Sequence, residues 1–489
     1  MSNNDRSSTL AGLASVALAI TLAGCATSIA PAPKVNPGSA VTTMPAITPS
    51  ASATVKAGLS IDRWWTLFDD AALERLMDEA LARNEDLESA VARVREAQAS
   101  LDAVHAARSP TLDADVRSDR SQRSAVGATP LPSGVAREAP SHRASLNAAY
   151  DLDLWGRLAS STESARKQLL ATEWARAAIE WRLTAQLAEA YFNLAATDRQ
   201  IEISEAVRES RNATLDLRKR ELSAGAGTEL DVRRAEAELI ATDSTLVSLA
   251  RQRISLIRAL TALLGRTPAE VMARELPRKA LNERESLATV LPQGSAADLL
   301  VKRPDIRQAE AQLAASNASI EAARAATLPT IRLSGSLGSD AKSIANLFSG
   351  PAAIWSIAAG TTQAIFDGGK LQARVREEHA RAEQAFASYR KAITAAVLEV
   401  REAYATLDLA HQGHRTERDR VASLGRARDL AKRGYENGAL NYLDLLDAER
   451  NWYQAQLQQV TLYRDQLVGQ VAAFKALGGG YTPVQANAY

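Results

Sequence analysis

Two groups of residues in this sequence have types and spacings that could support chemistry. His411 and His414 lie three residues apart, so on a helix their imidazoles would share a face and could bind a metal ion. Two histidines make a weak metal site, and the neighbouring Arg415 and Arg418 disfavour a cation. The run Asp367-Gly368-Gly369-Lys370 is similar in composition to a phosphate-binding turn, but a tight turn is the simpler interpretation. Because the sequence has no glycine-rich phosphate loop, His-Glu-x-x-His motif or nucleophile elbow, we predict no catalytic residue and no metal site.

The only cysteine, Cys25, is the residue with the clearest covalent chemistry. Arg6 precedes an apolar run, Leu10 to Leu22, which is too short to span a bilayer and fits a secretory signal. The run ends in Leu-Ala-Gly-Cys, which resembles a bacterial lipobox and implies cleavage before Cys25 and attachment of lipid to its sulfur. Ala26 replaces the aspartate that would signal inner-membrane retention, so an outer-membrane address is expected. A plain signal peptide with an incidental cysteine is the alternative, and no other cofactor is expected.

The composition favours long helices over a thick globular core. The 489 residues carry a formal net charge of +1. This near-neutral charge gives no reason to predict a basic face or a nucleic-acid partner. Aromatic residues make up only 5% of the chain, and alanine is abundant. Such a composition is typical of long, closely packed helices.

The chain contains two copies of one long unit. Gly225 and Gly438 stand 213 residues apart, and matches on both sides of them share this offset. Nearer the front, Asp86 matches Asp305 at an offset of 219, so the first copy is six residues longer. A repeat of this length indicates a duplicated architecture and not a solenoid of short units.

Each copy combines helical patterns with one β-hairpin. Apolar and polar residues alternate at 111–116 and 146–154 around a Gly- and Pro-rich loop at 127–140, which predicts two strands. The second copy repeats the pattern at 330–366. Elsewhere apolar residues recur at steps of three and four, which predicts helices that supercoil against neighbours. The predicted helices cover residues 86–108, 157–222, 228–264, 305–328, 370–434 and 441–477.

These elements divide the chain into six segments. They are a lipoprotein signal peptide (1–24), a lipid-anchored tether (25–60), repeat 1 (61–264, hairpin 111–155), a connecting segment (265–300), repeat 2 (301–477, hairpin 330–367) and a C-terminal tail (478–489).

Helix lengths predict that the chain oligomerises. At 1.5 Å per residue, each long helix would span about 100 Å, and the two shorter helices of its copy would match it end to end. Nothing in the pattern closes a compact core. Two hairpins give four strands, which are too few for a barrel with a lumen. We therefore expect strands and helix seams to find partners in other copies.

The chain resembles the outer membrane factor family, the TolC-like exit ducts, and within it the OprM/NodT lipoprotein branch. Besides the lipobox, the matching pieces are Trp64-Trp65 through Phe68-Asp69, Arg303-Pro304-Asp305-Ile306, Phe366-Asp367-Gly368-Gly369, and Gly438 through Asp447-Ala448-Glu449. The resemblance implies a homotrimer, in which three protomers with four strands each give a 12-stranded outer-membrane β-barrel. A periplasmic α-barrel of 12 helical rods would continue it, with a mixed belt formed by 61–81, 266–299 and the C-terminus.

The resemblance also implies a function. The chain would be the exit duct of a tripartite efflux pump in the outer membrane, receiving small molecules such as drugs from a periplasmic adaptor and an inner-membrane pump of the RND type. A duct for type I protein secretion is an alternative that differs in cargo. A structural coiled-coil lipoprotein is a further alternative, but it would leave the two amphipathic hairpins unexplained.

The resemblance also implies roles for individual residues, at the positions where this sequence matches the motifs of the family. Leu443, Asp444 and Asp447 match the residues that ring the periplasmic gate, where carboxylates would attract cations. Tyr435 and Asp231 match a pair that links neighbouring hairpins in some members, although Leu440 stands where a supporting arginine is expected. The tip positions where adaptors dock are matched by Gly225, Gly227 and Gly438. For the acids a solvated helix surface is the alternative, and for the glycines a turn with permissive backbone.

Overall fold

The structure of the chain is a computed structural model that describes residues 61–124, 126, 135–273, 276–281 and 302–478. Several predicted segments lie wholly or largely outside the described residues. They are the signal peptide, Cys25 and its tether up to residue 60, residues 127–134 of the 127–140 loop, residues 282–301 of the connection, and the tail from residue 479.

Long helices dominate the described residues, and their bounds repeat between the copies. The first copy contains α1 (Ala71–Arg83), α2 (Glu85–Ala106), α3 (Arg157–Ser223), α4 (Glu229–Leu263) and the short α5 (Pro268–Ala273). The second copy contains α6 (Pro304–Ala325), α7 (Lys370–Glu436) and α8 (Tyr442–Ala476). Helices α3 and α7 each have 67 residues, a length of about 100 Å. None of the described helices is long and apolar enough to cross a membrane.

Both long helices start at a glycine with left-handed backbone. Gly156 and Gly369 have φ angles of 73° and 84°, a region that glycine enters without steric cost. In the second copy the carboxylate of Asp367 accepts hydrogen bonds from the amides of Gly369 and Leu371, both at 2.8 Å. The run from Asp367 to Lys370 is therefore a capped turn, and its own carboxylate occupies the amides that a phosphate would need.

Each long helix packs against two shorter helices that follow one another along it. Helix α3 packs against α2 and α4, and α7 packs against α6 and α8. The two copies join because α3 also packs against α6 and α8. Small side chains let these helices approach closely. Fully buried alanines in the long helices and α8 include Ala188, Ala396, Ala455 and Ala473.

The strands form one antiparallel sheet in the order β1-β2-β3-β4. The strands are β1 (Thr111–Gln122), β2 (Glu138–Leu152), β3 (Thr330–Ala341) and β4 (Ala353–Thr362). The central β2–β3 pair joins the two copies and places Leu146 opposite Leu337. Among the described strands, β1 and β4 have no neighbour on their outer sides, so each presents a row of backbone groups that can pair with another strand.

The sheet has one apolar and one polar face. Side chains alternate along a strand, so the register places Leu337, Trp355 and Ile357 on one face. Trp355 is 75% and Ile357 83% exposed in the protomer. On the opposite face, Arg143 pairs with Asp340 across β2 and β3 at 2.8 Å. Exposed apolar surface of this kind marks a contact with a membrane or a protein.

An apolar belt core lies where α1 packs against α3, α4 and α8. Trp64 stacks on Phe474 with 5.7 Å between ring centroids, and the hydroxyl of Tyr191 donates to Asp70 at 2.7 Å. The expectation that nothing closes a compact core was therefore wrong at this level, because the core collects residues from segments far apart in sequence. Its buried members include Trp64, Trp65, Phe68, Leu73, Met77, Leu187, Tyr191, Phe192, Leu260, Leu264, Val471 and Phe474.

Arg303 connects four helices beside this belt. Its guanidinium pairs with Glu399 of α7 at 2.7 Å and with Asp305 of α6 at 2.8 Å. It also donates to the carbonyl of Ala476 in α8 at 2.7 Å, and it lies 5.0 Å from the ring of Trp181 in α3. These carboxylates raise the pKa of Arg303 although burial opposes it. The Arg-Pro-Asp motif is thus a structural anchor of the fold.

Candidate functional site at the helix tips

Two tight turns connect α3 to α4 and α7 to α8. Gly225 and Gly438 both have a φ of 72°, so both turns need the left-handed backbone that glycine provides. The second turn is closed by the amide of Ala439, which donates to the carbonyl of Gly434 at 2.8 Å, the usual way to end a helix at such a glycine. The two matched glycines are therefore at the tips of two helical hairpins.

Gly227 and Leu440 hold corresponding positions in the two turns. A Cβ on Gly227 would lie 3.2 Å from the amide nitrogen of Leu222, so the first turn leaves little space for a side chain. In the second turn Leu440 packs over Gly434, where an added Cβ would come within 2.7 Å of Leu440 Cδ1. The leucine that replaces the expected arginine thus has a packing role in the turn.

Asp444 and Asp231 are bound to the first turns of their helices. Asn441 caps α8, accepting from the amide of Asp444 at 3.0 Å, and the Asp444 carboxylate accepts from the amide of Asn441 at 3.3 Å. In α4, Thr228 accepts from the amide of Asp231 at 3.2 Å and donates its hydroxyl proton to the carboxylate at 2.6 Å. Asp444 therefore completes a capping box with Asn441, whereas Asp231 contacts the capping residue Thr228 only through its hydroxyl. Both acids lie in the first turn of a helix, where the helix dipole favours negative charge.

Leu443 and Asp447 lie on one exposed face of α8, one turn apart. Leu443 is 40% exposed, and 55% of the Asp447 side chain is accessible. Arg450 Nη1 lies 3.6 Å from Asp447 Oδ1. The structure thus brings all three predicted gate residues into the first two turns of α8, and both acids are exposed.

Tyr435 and Asp231 are not joined by a hydrogen bond in the described part of the protomer. The hydroxyl of Tyr435 accepts a hydrogen bond from Arg218. Asp231 is held by Thr228 at 2.6 Å and lies 3.9 Å from Arg234. Within the protomer Tyr435 contacts an arginine of α3, and its link with Asp231 between neighbouring hairpins stays a prediction.

Arg218 is a tip residue that sequence reasoning missed. The residue is only 6% exposed. Its guanidinium lies 4.8 Å from the ring centroid of Tyr435 and 4.3 Å from that of Tyr442. It also pairs with Glu221 at 2.7 Å. One cation of α3 is therefore enclosed by aromatic rings from α7 and α8, which ties the two hairpins together.

A small apolar cluster surrounds this arginine. It combines residues of α3, α4 and α8, with Tyr435 of α7 packed against it. Burial raises the pKa of Tyr442, so this phenol stays neutral and keeps its ring on the cation. The buried members are Leu215, Val232, Ala235, Tyr442 and Leu446.

Glu449 faces a cavity between α3, α7 and α8. The cavity has a volume of about 390 Å³, and its lining includes Arg211, Arg428 and Trp452. Burial raises the pKa of Glu449, opposed by the nearby Arg211 and Arg428. The guanidinium of Arg428 does not pair with this acid but stacks on Trp452 at 3.9 Å and pairs with Asp429 at 2.5 Å.

The two histidines of α7 lie in the helix packing. The ring of His414 contacts that of Tyr463, with 5.1 Å between centroids and 41° between the ring planes. Burial lowers the pKa of His411, although the nearby Asp408 opposes the shift. Across the described ranges, no group of three or more His, Cys, Asp or Glu side chains is arranged to hold a metal ion.

Comparison with known proteins identifies the class to which this fold and these tips belong. The profile of a family described as outer membrane efflux protein matches residues 76–266 and 296–479. The match covers well over half of the chain, so the chain belongs to the outer membrane efflux protein family. The resemblance to the TolC-like exit ducts is thereby confirmed.

Relatives and a solved structure agree with this assignment. The chain is 33% identical to the solvent efflux pump outer membrane protein SrpC of Pseudomonas putida, over 86% of this chain and 87% of the relative. It is 30% identical to the cation efflux system protein CusC of Escherichia coli, over 85% of this chain and 88% of the relative. The structure of the outer-membrane channel OprN has a TM-score of 0.80 and 29% identity, with 93% of this chain and 98% of that chain covered.

Proposed function

We propose that three copies of this chain form one continuous exit channel of a tripartite efflux pump. Three four-stranded sheets would close a 12-stranded barrel in the outer membrane, and the long helices would continue it as a 12-helix barrel in the periplasm. The alternative of a structural coiled-coil lipoprotein leaves the sheet without a role. A closed barrel gives each strand a partner, which a bilayer requires.

The sheet is the observation that carries the proposal. Its edge strands β1 and β4 have no neighbour on their outer sides within the described residues, and its apolar face presents Trp355 and Ile357. A free edge and an exposed apolar face would both promote aggregation in water. Pairing β4 of one protomer with β1 of the next would remove every edge and turn the apolar face toward lipid.

A seam on α4 supports the same assembly. Ile240, Val247 and Ile254 follow one another at intervals of seven residues and are exposed in the protomer. A heptad stripe of this kind packs against another helix in a coiled coil. In the trimer a helix of the neighbouring protomer would cover it.

The periplasmic gate is proposed at the start of α8. Three-fold symmetry would repeat Leu443, Asp444 and Asp447 as rings around the channel axis. The leucines would narrow the passage, and the carboxylates would favour cations over anions. Arg218, Tyr435 and Tyr442 would hold the hairpins that carry these rings.

The partners follow from the position of the tips. The turns at Gly225, Gly227 and Gly438 would receive a periplasmic adaptor, which joins the channel to an inner-membrane pump of the RND type. Lipid attached to Cys25, palmitate included, would anchor each protomer to the outer membrane. No nucleic-acid partner or further cofactor is proposed.

The cargo is proposed to be small molecules. SrpC is named for solvent efflux and CusC for cation efflux, so relatives of similar identity differ in what they export. Their names support efflux over the alternative of type I protein secretion. We propose drug-like or solvent-like molecules as the cargo class.

Deletion of the gene and complementation test this function. The deletion strain should become more sensitive to drugs, dyes or solvents, and the wild-type gene should restore resistance. Metal sensitivity and protein secretion are measured in parallel. Retention of a secreted polypeptide, with unchanged sensitivity to every small molecule, would reject the efflux function.

Single-channel recording tests the gate. Asp447→Ala should raise conductance or lower the preference for cations in planar bilayers, because a charged ring is removed. Asp78→Ala is a matched control, since Asp78 pairs with Arg63 near the belt core and far along the chain from the tips. A channel unchanged by Asp447→Ala would remove this residue from the gate.

A further inference from the structure

The carboxylate of Glu238 lies between the two helical hairpins, α3–α4 and α7–α8. Arg211 of α3 approaches Oε2 at 2.8 Å, and Arg450 of α8 approaches Oε1 at 2.9 Å. Glu238 is only 8% exposed, so these two guanidinium groups and not water balance its charge. One acid of α4 therefore holds both hairpins together about three turns from the tips.

The two arginines differ in how firmly they are held. Arg211 also donates to the carbonyl of Glu238 at 2.6 Å and to the hydroxyl of Thr242 at 2.7 Å, so all its hydrogen bonds to described residues lie within the first hairpin. It touches the second hairpin through the ring of Tyr453, at 5.5 Å. Arg450 is half-exposed, and its Nη1 lies 3.6 Å from Asp447. The position of Arg450 is thus set by one buried acid and one exposed acid, which belong to different hairpins.

We infer that Glu238 positions Arg450 beside Asp447 and so couples the packing of the two hairpins to the charge at the gate. The inference rests on the proposed gate. In the packed arrangement Arg450 is shared between the two carboxylates. When α8 moves away from α4, the contact with Glu238 is lost, and Arg450 is left to neutralise Asp447 alone. The gate then becomes less negative as it widens.

Glu238→Gln tests this coupling because it removes the charge and keeps the shape. Arg450 would be released from α4 and would pair with Asp447 in every state. In planar bilayers we expect the open probability to rise about tenfold, the size of an ordinary coupling within one charge network. The preference for cations over anions should fall in the same recordings.

Glu236→Gln is the matched control. Glu236 lies on the same helix, has 43% of its side chain accessible, and pairs with Arg233 at 2.9 Å. Its substitution removes the same charge without touching the contact between the hairpins. Neither open probability nor ion selectivity should change.

Arg450→Gln separates coupling from simple destabilisation. It also breaks the contact between hairpins, so the open probability should rise as in Glu238→Gln. It leaves Asp447 without its cation, so the preference for cations should increase and not fall. Arg450 is half-exposed, so this variant is expected to assemble even where Glu238→Gln does not. An unchanged selectivity in Arg450→Gln would overturn the inference.

A double-mutant cycle with Asp447→Asn completes the test. Once the gate charge is gone, Glu238→Gln should have no further effect on selectivity, because Arg450 has nothing left to neutralise. Independent, additive effects would overturn the coupling and leave the gate intact. If Asp447→Asn alone changed nothing, the gate and the coupling would both fail, whereas resistance of the complemented strain would still report on the efflux function.

Discussion

Replacing Arg218 by methionine is expected to loosen the helix tips without affecting the belt core. The side chain gives up two contacts with aromatic rings, at 4.8 Å from Tyr435 and 4.3 Å from Tyr442, worth about 1 kcal/mol each. It also gives up a charged hydrogen bond to the hydroxyl of Tyr435, worth about 2 kcal/mol, and an ion pair with the partly exposed Glu221 one turn away, worth only about 0.3 kcal/mol. Methionine keeps most of the apolar volume of the arginine side chain. The variant also avoids the cost of burying the guanidinium, which offsets the loss by roughly 2 kcal/mol. The net loss is therefore about 2 kcal/mol.

Amide hydrogen exchange measures this loss locally. A change of about 2 kcal/mol in the free energy of tip opening makes exchange roughly 30-fold faster. The effect should appear in peptides that cover residues 430–446 and be absent from those around 187–194, which lie in the belt core. Tyr435→Phe keeps the ring and removes the hydroxyl that accepts the charged hydrogen bond, so about 2 kcal/mol and a roughly 30-fold change are expected for this variant too.

The control for Arg218→Met is Arg220→Met. Arg220 is exposed and lies two residues further along α3, so its substitution changes the net charge by the same amount. Its exchange pattern should match that of the wild type. Equal acceleration in both variants would show that net charge and not the enclosed cation controls the tip. Unchanged exchange in Arg218→Met would refute the reasoning directly.

Three further substitutions probe other parts of the protein. Burial raises the pKa of Glu449, so its charged form is disfavoured in the fold. Glu449→Gln should therefore raise the melting temperature at neutral pH, and the difference should vanish as pH falls through the raised pKa. Gly438→Ala should lower the free energy of unfolding by about 1 kcal/mol because φ is 72° there, whereas Gly413→Ala inside α7 should be neutral or stabilising. Arg303→Met should lower it by about 3 kcal/mol in a denaturant titration, because it leaves the partly buried Glu399 without its closer partner.

Helices and turns could be predicted from the sequence because their signals are local. The predicted helix 157–222 and the observed α3 (Arg157–Ser223) differ by one residue at the end. Periodicity and the absence of proline are sufficient for such an element. Gly225 and Gly438 could likewise be assigned to turns, because a glycine between two helical patterns has few other roles.

Contacts between distant segments could not be predicted in the same way. Trp64 and Phe474 stack in the belt core although 410 residues separate them (474 − 64). Arg218 corresponds to Ala431 in the second copy. Comparison of the two repeats therefore does not mark Arg218 as a functional residue. An arginine near a helix end normally predicts a solvated side chain. Only the packing of α3 against α8 shows that this one is enclosed.

The capping role of Asp444 could be predicted from the sequence. Asn441 and Asp444 have the spacing of a capping box, as do Thr228 and Asp231. Asp444 and Asp231 also match gate and link positions of the family. The two roles are compatible because a capping carboxylate keeps an accessible oxygen. The gate role of Asp444 stays a prediction.

The two acids of α8 are held in physically different ways, and this difference determines what each can do in a channel. The Asp444 carboxylate is bound to the backbone at the helix start, with the amide of Asn441 at 3.3 Å, so its charge is fixed in place and favoured by the helix dipole. Asp447 lies one turn further on, where the dipole is weaker, and depends on Arg450 at 3.6 Å. A ring of Asp444 would therefore carry the same charge in every state of the channel. A ring of Asp447 would change its effective charge whenever Arg450 moves, so ion preference could change with gating even if the backbone of α8 stayed rigid.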